Sequence, residues 1–275
     1  MTTLEAVREV ARELDDAGVP SPRVDAESLV AHVLGISRSE LYVTDGALST
    51  DELRRLHFVQ ERRRKREPLA YILGEWGFRR LTLEVDRRAL IPRPETEVLV
   101  ERCLDRLAGV SEPHVLDVGA GSGAVALAVV DEHAGARVTA VDSSEDALAV
   151  AQENVRRLAA NGNVQLLRGD LVAGLTGPFD LVVSNPPYVS PDDYETLQPE
   201  ICLYEPRQAL VGVSVGPAIA RGALDVLRSG GWLLLECGDG QADDLAADLE
   251  RLGYAEITKT RDLAGRERVV EARRP

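Results

Sequence analysis

Residues 115–130 constrain the fold more than any other stretch of this 275-residue chain. Val115-Leu116-Asp117-Val118 is a short apolar run of strand length. It passes into Gly119-Ala120-Gly121-Ser122-Gly123, then into Ala124-Val125-Ala126-Leu127-Ala128-Val129-Val130, which reads as a helix. Strand, glycine-rich turn and helix form the opening unit of a doubly wound α/β domain that binds a nucleotide. Glycine permits the tight turn and lets a ligand approach bare backbone. A second strand-like run, Ala136–Val141, ends at Asp142. That carboxylate stands about twenty residues past the glycines, where ribose hydroxyls are held in such folds.

A second motif narrows the chemistry. Phe179-Asp180-Leu181-Val182-Val183 reads as a buried strand, and Ser184-Asn185-Pro186-Pro187-Tyr188 follows it. Function concentrates at the carboxyl ends of strands in an open α/β sheet. Two prolines cannot continue a central strand, because each lacks an N–H and has a fixed φ. They make a stiff turn with unpartnered carbonyls. Asn185 adds a side-chain carbonyl and an NH2, and Tyr188 a flat ring with a polar tip. The set suits a pocket that accepts hydrogen bonds from a planar NH2 group and packs against its plane. An ordinary proline-rich loop is the bland alternative for this motif alone; the glycine loop upstream weakens it.

The rest of the chain reads as three parts. Residues 1–68 look like a small helical domain. Leu4, Val7, Val10, Ala11 and Leu14 follow helical spacing. Ser21-Pro22 opens a second helix that stops at Gly35, 37–42 suggests a short third, and Ser49 begins a longer one. The run Arg62-Arg63-Arg64-Lys65-Arg66 reads as a solvated helix end whose cations complement the dipole, in preference to a nucleic-acid contact. Residues 69–90 are expected to be a β-hairpin linker. Residues 91–275 alternate strands and helices, the pattern of a mainly parallel sheet. Gly230–Glu236 reads as another buried strand, and 254–259 with 268–272 as a closing antiparallel pair.

Composition excludes several classes. Cys103, Cys202 and Cys237 are scattered, and His32, His57, His114 and His133 fall at no metal-ligand spacing. A reducing, cytoplasmic setting without a metal site is therefore expected. Charges from Glu5 onward argue against a signal peptide, and no apolar run approaches a membrane span. The net charge is −14, of which residues 67–275 carry −13. Such a surface repels phosphate backbones, so direct DNA binding is not expected and a protein substrate fits better.

Taken together, these motifs resemble the release-factor glutamine methyltransferases, also called the HemK or PrmC family. The resemblance covers most of the chain. Besides the glycine loop and Asn185-Pro186-Pro187-Tyr188, it includes Pro68-Leu69-Ala70-Tyr71-Ile72-Leu73-Gly74, Ile91-Pro92-Arg93-Pro94-Glu95-Thr96-Glu97, Glu205-Pro206 and Leu234-Leu235-Glu236. Ile-Pro-Arg-Pro-Glu-Thr is the most family-specific of these. There are two departures. Gly212-Val213-Ser214-Val215-Gly216 stands where the family usually shows a Gly-Gly-x-Asp-Gly-like segment, and Cys237 where many members have His.

The resemblance implies a class I S-adenosylmethionine-dependent methyltransferase, with a mainly parallel Rossmann-like sheet and a helical N-terminal domain that docks substrate. It implies S-adenosylmethionine as donor and the glutamine of the Gly-Gly-Gln loop of peptide chain release factors as acceptor. We expect a monomer. Backbone from Gly119 through Ala120, Gly121, Ser122 and Gly123 is expected to approach the methionine portion. Asp117 is expected to help hold its ammonium and Asp142 the ribose. Asp170 and Leu171 are expected at the adenine, although Asp170 reads almost equally well as a turn cap.

An amide nitrogen is a poor nucleophile because its lone pair is delocalised. The Asn185 side-chain oxygen and the Pro186 carbonyl are the expected acceptors for its N–H bonds, Pro187 part of the substrate wall, and Tyr188 the ring that packs on the amide; Asn185 is also expected to touch the donor, close to its sulfonium. No general base is visible. Arg93 and Glu95 are expected to support the site. Three alternatives remain: an amino-group methyltransferase acting on a nucleic-acid base, one acting on a ribosomal-protein glutamine, and an NAD-binding Rossmann protein. Gly119-x-Gly121-x-x-Ala124 fits the last formally, but that reading leaves Asn185-Pro186-Pro187-Tyr188 unexplained.

Overall fold

The computed structural model describes residues 1–44 and 46–275. The chain divides into two compact units: residues 1–74 together with 198–204, and residues 75–197 together with 205–275.

The first unit is helical. Helix α1 (Thr3–Asp16) opens on a capping box, in which Thr2 Oγ1 accepts from the Glu5 N–H and the Glu5 carboxylate from the Thr2 N–H. Helix α2 (Pro22–Leu34) has proline in its first turn and stops at Gly35 with φ of +69°. Helix α3 (Thr50–Arg64) opens on a second capping box, Ser49 with Glu52. The segment expected as a short helix over 37–42 is a single 3-10 turn, Glu40–Tyr42. Ala6, Val10, Leu14, Leu29, Val30 and Leu56 form the core. The expected hairpin linker begins instead with a helical turn, α4 (Leu69–Leu73), in which Leu69, Ala70 and Leu73 are good helix formers and Pro68 and Gly74 bracket the turn.

The basic run at the end of α3 is solvated only at Arg64 and Lys65. Arg63 is buried, and its guanidinium donates to Asp25 at 2.6 Å and to Glu200 at 2.9 Å. Arg66 forks onto the same Glu200 carboxylate at 2.7 and 2.6 Å. Arg62 forks onto Glu67, and the Tyr204 hydroxyl donates to the Lys65 carbonyl. Burial alone would raise the Glu200 carboxyl; the arginine hydrogen bonds outweigh it and hold the group below its ordinary value. The short helix Pro199–Tyr204 is thereby tied into the first unit.

The second unit opens with an antiparallel hairpin, β1 (Glu75–Phe78) and β2 (Leu81–Glu84). Then come α5 (Thr96–Leu107), β3 (His114–Val118), α6 (Ala124–Glu132), β4 (Arg137–Asp142), α7 (Glu145–Arg157), β5 (Val164–Arg168) and β6 (Phe179–Ser184). Helix α8 (Pro191–Tyr194) precedes the Pro199–Tyr204 helix, which is α9 in chain order. The chain closes with α10 (Val215–Val226), β7 (Leu227–Glu236), α11 (Ala242–Arg251), β8 (Ala255–Arg261) and β9 (Glu267–Arg273).

Seven strands form one sheet in the order β5-β4-β3-β6-β7-β9-β8. The first five run parallel, and β9 and β8 close the edge antiparallel. Side chains alternate between faces. Val115, Val183, Leu234 and Val269 pack under α5 and α6, whereas Leu116, Val182, Leu235 and Val270 pack under α10 and α11. Both faces are covered, which is why β3, β6 and β7 read as nearly continuous apolar runs. Strand order reverses between β3 and β6. A crevice opens there at the carboxyl edge, and that is where an α/β sheet of this type takes its ligand.

Candidate active site

The glycine loop and Asn185 leave the sheet from β3 and β6, the two strands that flank the reversal. Their register pairs Val115 with Leu181 and Asp117 with Val183, so both turns emerge at one level. The Ser184 hydroxyl donates to the Val118 carbonyl at 2.6 Å and fastens the two strand ends together. Between the turns lies a cleft of about 290 Å³.

One wall is backbone. Gly119 and Gly121 adopt φ of +78° and +55°, and a Cβ at either would meet nothing within 4 Å. Conformation, not crowding, selects glycine there, and the bare loop faces open space. The N–H groups of Gly119 and Ala120 both donate to the Val141 carbonyl, at 2.7 and 3.0 Å. Asp142 lines the cleft and braces the loop: its Oδ2 accepts from the Gly121 N–H and its Oδ1 from the Ser144 N–H, each at 2.9 Å. Ala120, Ser122, Asp170 and Leu171 also lie on the wall.

Two expected donor residues stand behind this wall. Gly123 starts α6 and packs toward Leu127 and Ala151. Asp117 points to the α5 and α6 face of the sheet, as strand alternation requires. It is 1% exposed and accepts from the Ala126 N–H at 3.1 Å. Burial pushes its carboxyl up to about 7; the Ala126 N–H opposes that rise and the Asp142 charge adds to it.

The other wall is made of prolines and side chains. Asn185, Pro186 and Pro187 line it, with Ile91, Pro92, Arg93 and Thr96 beside them. Asn185 Nδ2 donates to Thr96 Oγ1 at 3.0 Å, which leaves Asn185 Oδ1 as the atom available to the cleft. The Ile-Pro-Arg-Pro segment is pinned by buried Glu205, whose carboxylate accepts from the Ile91 N–H at 3.2 Å and from Arg93 at 2.5 Å. A short bridge, Val189 with Val211, covers the turn. Gly212 follows it, where a Cβ would lie 2.9 Å from Val215 and 3.0 Å from Pro187. The atypical 212–216 segment thus needs its first glycine for room.

Tyr188 sits off the cleft wall. Its ring lies against Gly238, its carbonyl accepts from Gln241 Nε2 at 3.0 Å, and burial pushes its hydroxyl up to about 12. Sequence reasoning missed Thr96 and Glu236 as individual site residues. Glu236 ends β7, is 1% exposed, and neither carboxylate oxygen has a hydrogen-bond partner. Burial pushes it up to about 7. The available signal was an acidic residue closing an apolar strand at the carboxyl edge of the sheet.

Residues 5–74 match the PrmC N-terminal domain family, and residues 94–237 match the methyltransferase small domain family. A release factor glutamine methyltransferase of Deinococcus radiodurans is 43% identical over 283 residues, spanning 100% of this chain and 99% of the relative. One of Caulobacter vibrioides is 39% identical, spanning 98% of this chain and 96% of the relative. Among solved structures, a 16S rRNA N2 G1207 methyltransferase of T. Thermophilus, in complex with AdoMet and guanosine, superposes with a TM-score of 0.53 at 23% identity. The match covers 73% of this chain and 50% of that one. A methyltransferase from Pyrococcus furiosus gives 0.52 at 22% identity, covering 70% and 87%. At such identities the two structures speak for the fold alone.

Proposed function

The chain belongs to the release factor glutamine methyltransferase family, and from that premise we propose that it methylates the side-chain amide nitrogen of the glutamine in the Gly-Gly-Gln motif of peptide chain release factors, with S-adenosylmethionine as donor. The observation that carries this reading is the pair of turns at the sheet reversal, a bare glycine loop facing Asn185-Pro186-Pro187 across one cleft.

The donor side fits such a ligand. The open space above Gly119 and Gly121 admits a close approach to backbone. Asp142 keeps lone pairs for ribose hydroxyls even while it holds Gly121 and Ser144, since each carboxylate oxygen has two. Leu171 offers an apolar contact and Asp170 an acceptor for the adenine end. When bound, S-adenosylmethionine supplies an electrophilic methyl group. Asp117 stiffens α6 behind the loop rather than meeting the ligand.

On the acceptor side, Asn185 Oδ1 and the Pro186 carbonyl take the two amide N–H bonds. Those hydrogen bonds strengthen as positive charge develops on the nitrogen, so they favour the transition state over the ground state. Pro187 walls the pocket. Tyr188 holds the turn from behind through its carbonyl bond to Gln241. Much of the acceleration comes from holding the amide in line with the methyl group. The first unit is assigned a docking role for the folded release factor, whose remote contacts help orient the glutamine. Among the described residues no helix is long and apolar enough to cross a membrane, and no acidic, His or Cys cluster could hold a metal.

The test is methylation of intact release factor by the full chain with isotope-labelled donor, read by peptide mass spectrometry. One methyl group on the Gly-Gly-Gln glutamine is expected. Labelled nucleic acid beside unmodified release factor would overturn the substrate assignment.

A further inference from the structure

Asn185 is useful to an amide substrate only in one of its two flip states. Its oxygen must face the cleft to accept an N–H, so its NH2 must be held elsewhere. Nothing inside the side chain enforces that choice, since the two ends of an amide have nearly the same shape. The surroundings must enforce it.

Strand alternation and register bring the candidates together. Ser184 of β6 pairs with Leu235 of β7, so Asn185 and Glu236 are the next neighbours along the two parallel strands. Val183 and Leu234 face α5, and one alternation later Asn185 and Glu236 face the same side. Thr96, the first residue of α5, is 4% exposed above them and accepts from Asn185 Nδ2 at 3.0 Å. A hydroxyl that accepts from an amide keeps its own proton for another acceptor. The Glu236 carboxylate has both oxygens buried with no partner at full hydrogen-bond geometry, while the Thr96 hydroxyl is the neighbouring group that most favours the Glu236 anion, so a small rotation of that hydroxyl joins the two.

We propose that Glu236 and Thr96 form a polarity relay that fixes the amide of Asn185: the Thr96 hydroxyl donates a hydrogen bond to the Glu236 carboxylate, Thr96 Oγ1 accepts one from the Asn185 NH2, and Asn185 Oδ1 is thereby turned to the methyl-accepting nitrogen. Both are positioning residues; neither touches the reacting atoms. The inference rests on the proposed role of Asn185. It also gives a use to a buried carboxylate that is otherwise a cost, because a buried polar group without partners destabilises the fold. The groups that face Glu236 are Arg93 and Glu95 ahead of α5, Arg268 on β9, Tyr188 after the proline turn, and Cys237 next in the chain.

The relay is tested in the full chain with Thr96→Val, Thr96→Ser, Glu236→Gln and Asn185→Ala. Each is assayed by single-turnover methylation of intact release factor at saturating donor, across pH 6 to 8, with donor affinity measured separately. Thr96→Val is expected to lower the rate constant about tenfold or more at nearly unchanged donor affinity, the pattern of lost transition-state orientation. Thr96→Ser is expected to restore most of it. In the wild type the rate is expected to rise as Glu236 ionises, and Glu236→Gln to flatten that rise. A readout independent of turnover is the Asn185 side-chain NH2 pair in a nitrogen-15 NMR spectrum: well separated and slow to exchange in the wild type, collapsed in Thr96→Val. A Thr96→Val enzyme with wild-type rate, a Thr96→Ser enzyme as slow as Thr96→Val, or a Glu236→Gln enzyme with the wild-type pH profile would overturn the relay. Should Thr96→Val fail to fold, the serine and glutamine variants decide. If Asn185→Ala itself keeps the wild-type rate, the failure lies in the role given to Asn185 and not in the relay alone.

Discussion

The donor wall of the cleft and its acceptor wall differ in how much of their polar chemistry is already satisfied. On the donor wall the loop N–H groups of Gly119 and Ala120 rest on the Val141 carbonyl, and each Asp142 oxygen holds a backbone N–H. That wall is complete before a ligand arrives and needs little rearrangement to bind one. The acceptor wall is held by side chains from distant segments, and behind it lies Glu236, a buried carboxylate whose oxygens make no hydrogen bond in the structure. A fold optimised only for stability would not keep such a group; sites that break a local rule are where function is expected. The contrast makes the two walls separable by mutation. On the proposed function, changes on the donor wall are expected to act on affinity, and changes on the acceptor wall on rate and stability.

The largest expected effect is at Asn185. Asn185→Ala should lower the methyl-transfer rate constant by about a hundredfold, the scale for losing one preorganised hydrogen bond to developing charge. The donor dissociation constant should move by less than about threefold, since the donor wall keeps its own partners. Single-turnover kinetics beside calorimetry reads both. A large loss of affinity with an intact rate would reverse the assignment of the two walls.

Asp142→Ala should do the converse. Donor binding is expected to weaken by about 1–3 kcal/mol, the range for hydrogen bonds to a charged group. Part of that loss comes through the Gly121 and Ser144 N–H groups, which lose their acceptor. At saturating donor the rate should stay within a few-fold of wild type. An unchanged dissociation constant would leave Asp142 as a brace only.

Glu236→Gln sharpens the stability side. Burial pushes the Glu236 carboxyl up to about 7 in the folded chain, against an ordinary value of about 4.3 when unfolded. Between those values the folded state holds a proton that the unfolded state has released. The contribution of Glu236 to stability therefore falls as pH rises from about 4 to 7 and is level above that. Buried Asp117 adds a slope of the same sign, which the variant keeps. Urea unfolding should show Glu236→Gln gaining on the wild type by about 2 kcal/mol between pH 5 and pH 8. A pH-independent offset would mean that the carboxyl ionises as freely folded as unfolded.

The smallest effect is expected at Gly123. Alanine there must adopt φ of +81° and meet Leu127 and Ala151 at 3.3 and 3.4 Å. A cost of about 1–2 kcal/mol in stability follows, with donor affinity nearly unchanged because Gly123 lies off the wall. If affinity dropped as far as in Asp142→Ala, the loop would have to be treated as one binding unit.

The local half of this molecule was legible in its sequence. Phe179 to Val183 reads as a strand because apolar residues run up to a proline turn, and β6 spans Phe179–Ser184. The same holds for the strand, glycine loop and helix over 115–130. What escaped reading depends on partners far away in the chain. Thr96 meets Asn185 across 89 positions, and Arg63 meets Glu200 across 137. No periodicity encodes such pairs. Arg63 looked solvated because five consecutive basic residues normally are, yet acids on α2 and α9 take it into the interior. Tyr188 was expected in the pocket from composition. Two prolines fix the direction in which the chain leaves β6, and that direction carries the ring to Gly238.

The split membership of the first unit has a consequence for modularity. Its residues come from 1–74 and again from 198–204, so the chain passes between units three times. No single cut releases it as a cassette. A protein trimmed at residue 74 would keep Glu200 but strip it of Arg63 and Arg66, and the isolated fragment 1–74 would carry two arginines without their shared acid. Exchange of this unit between relatives has to move two pieces at once, the second of them inserted immediately before Glu205, the residue that pins Ile91 and Arg93 at the cleft. Recombination that moves only residues 1–74 would thus leave Arg63 and Arg66 without the acid they share.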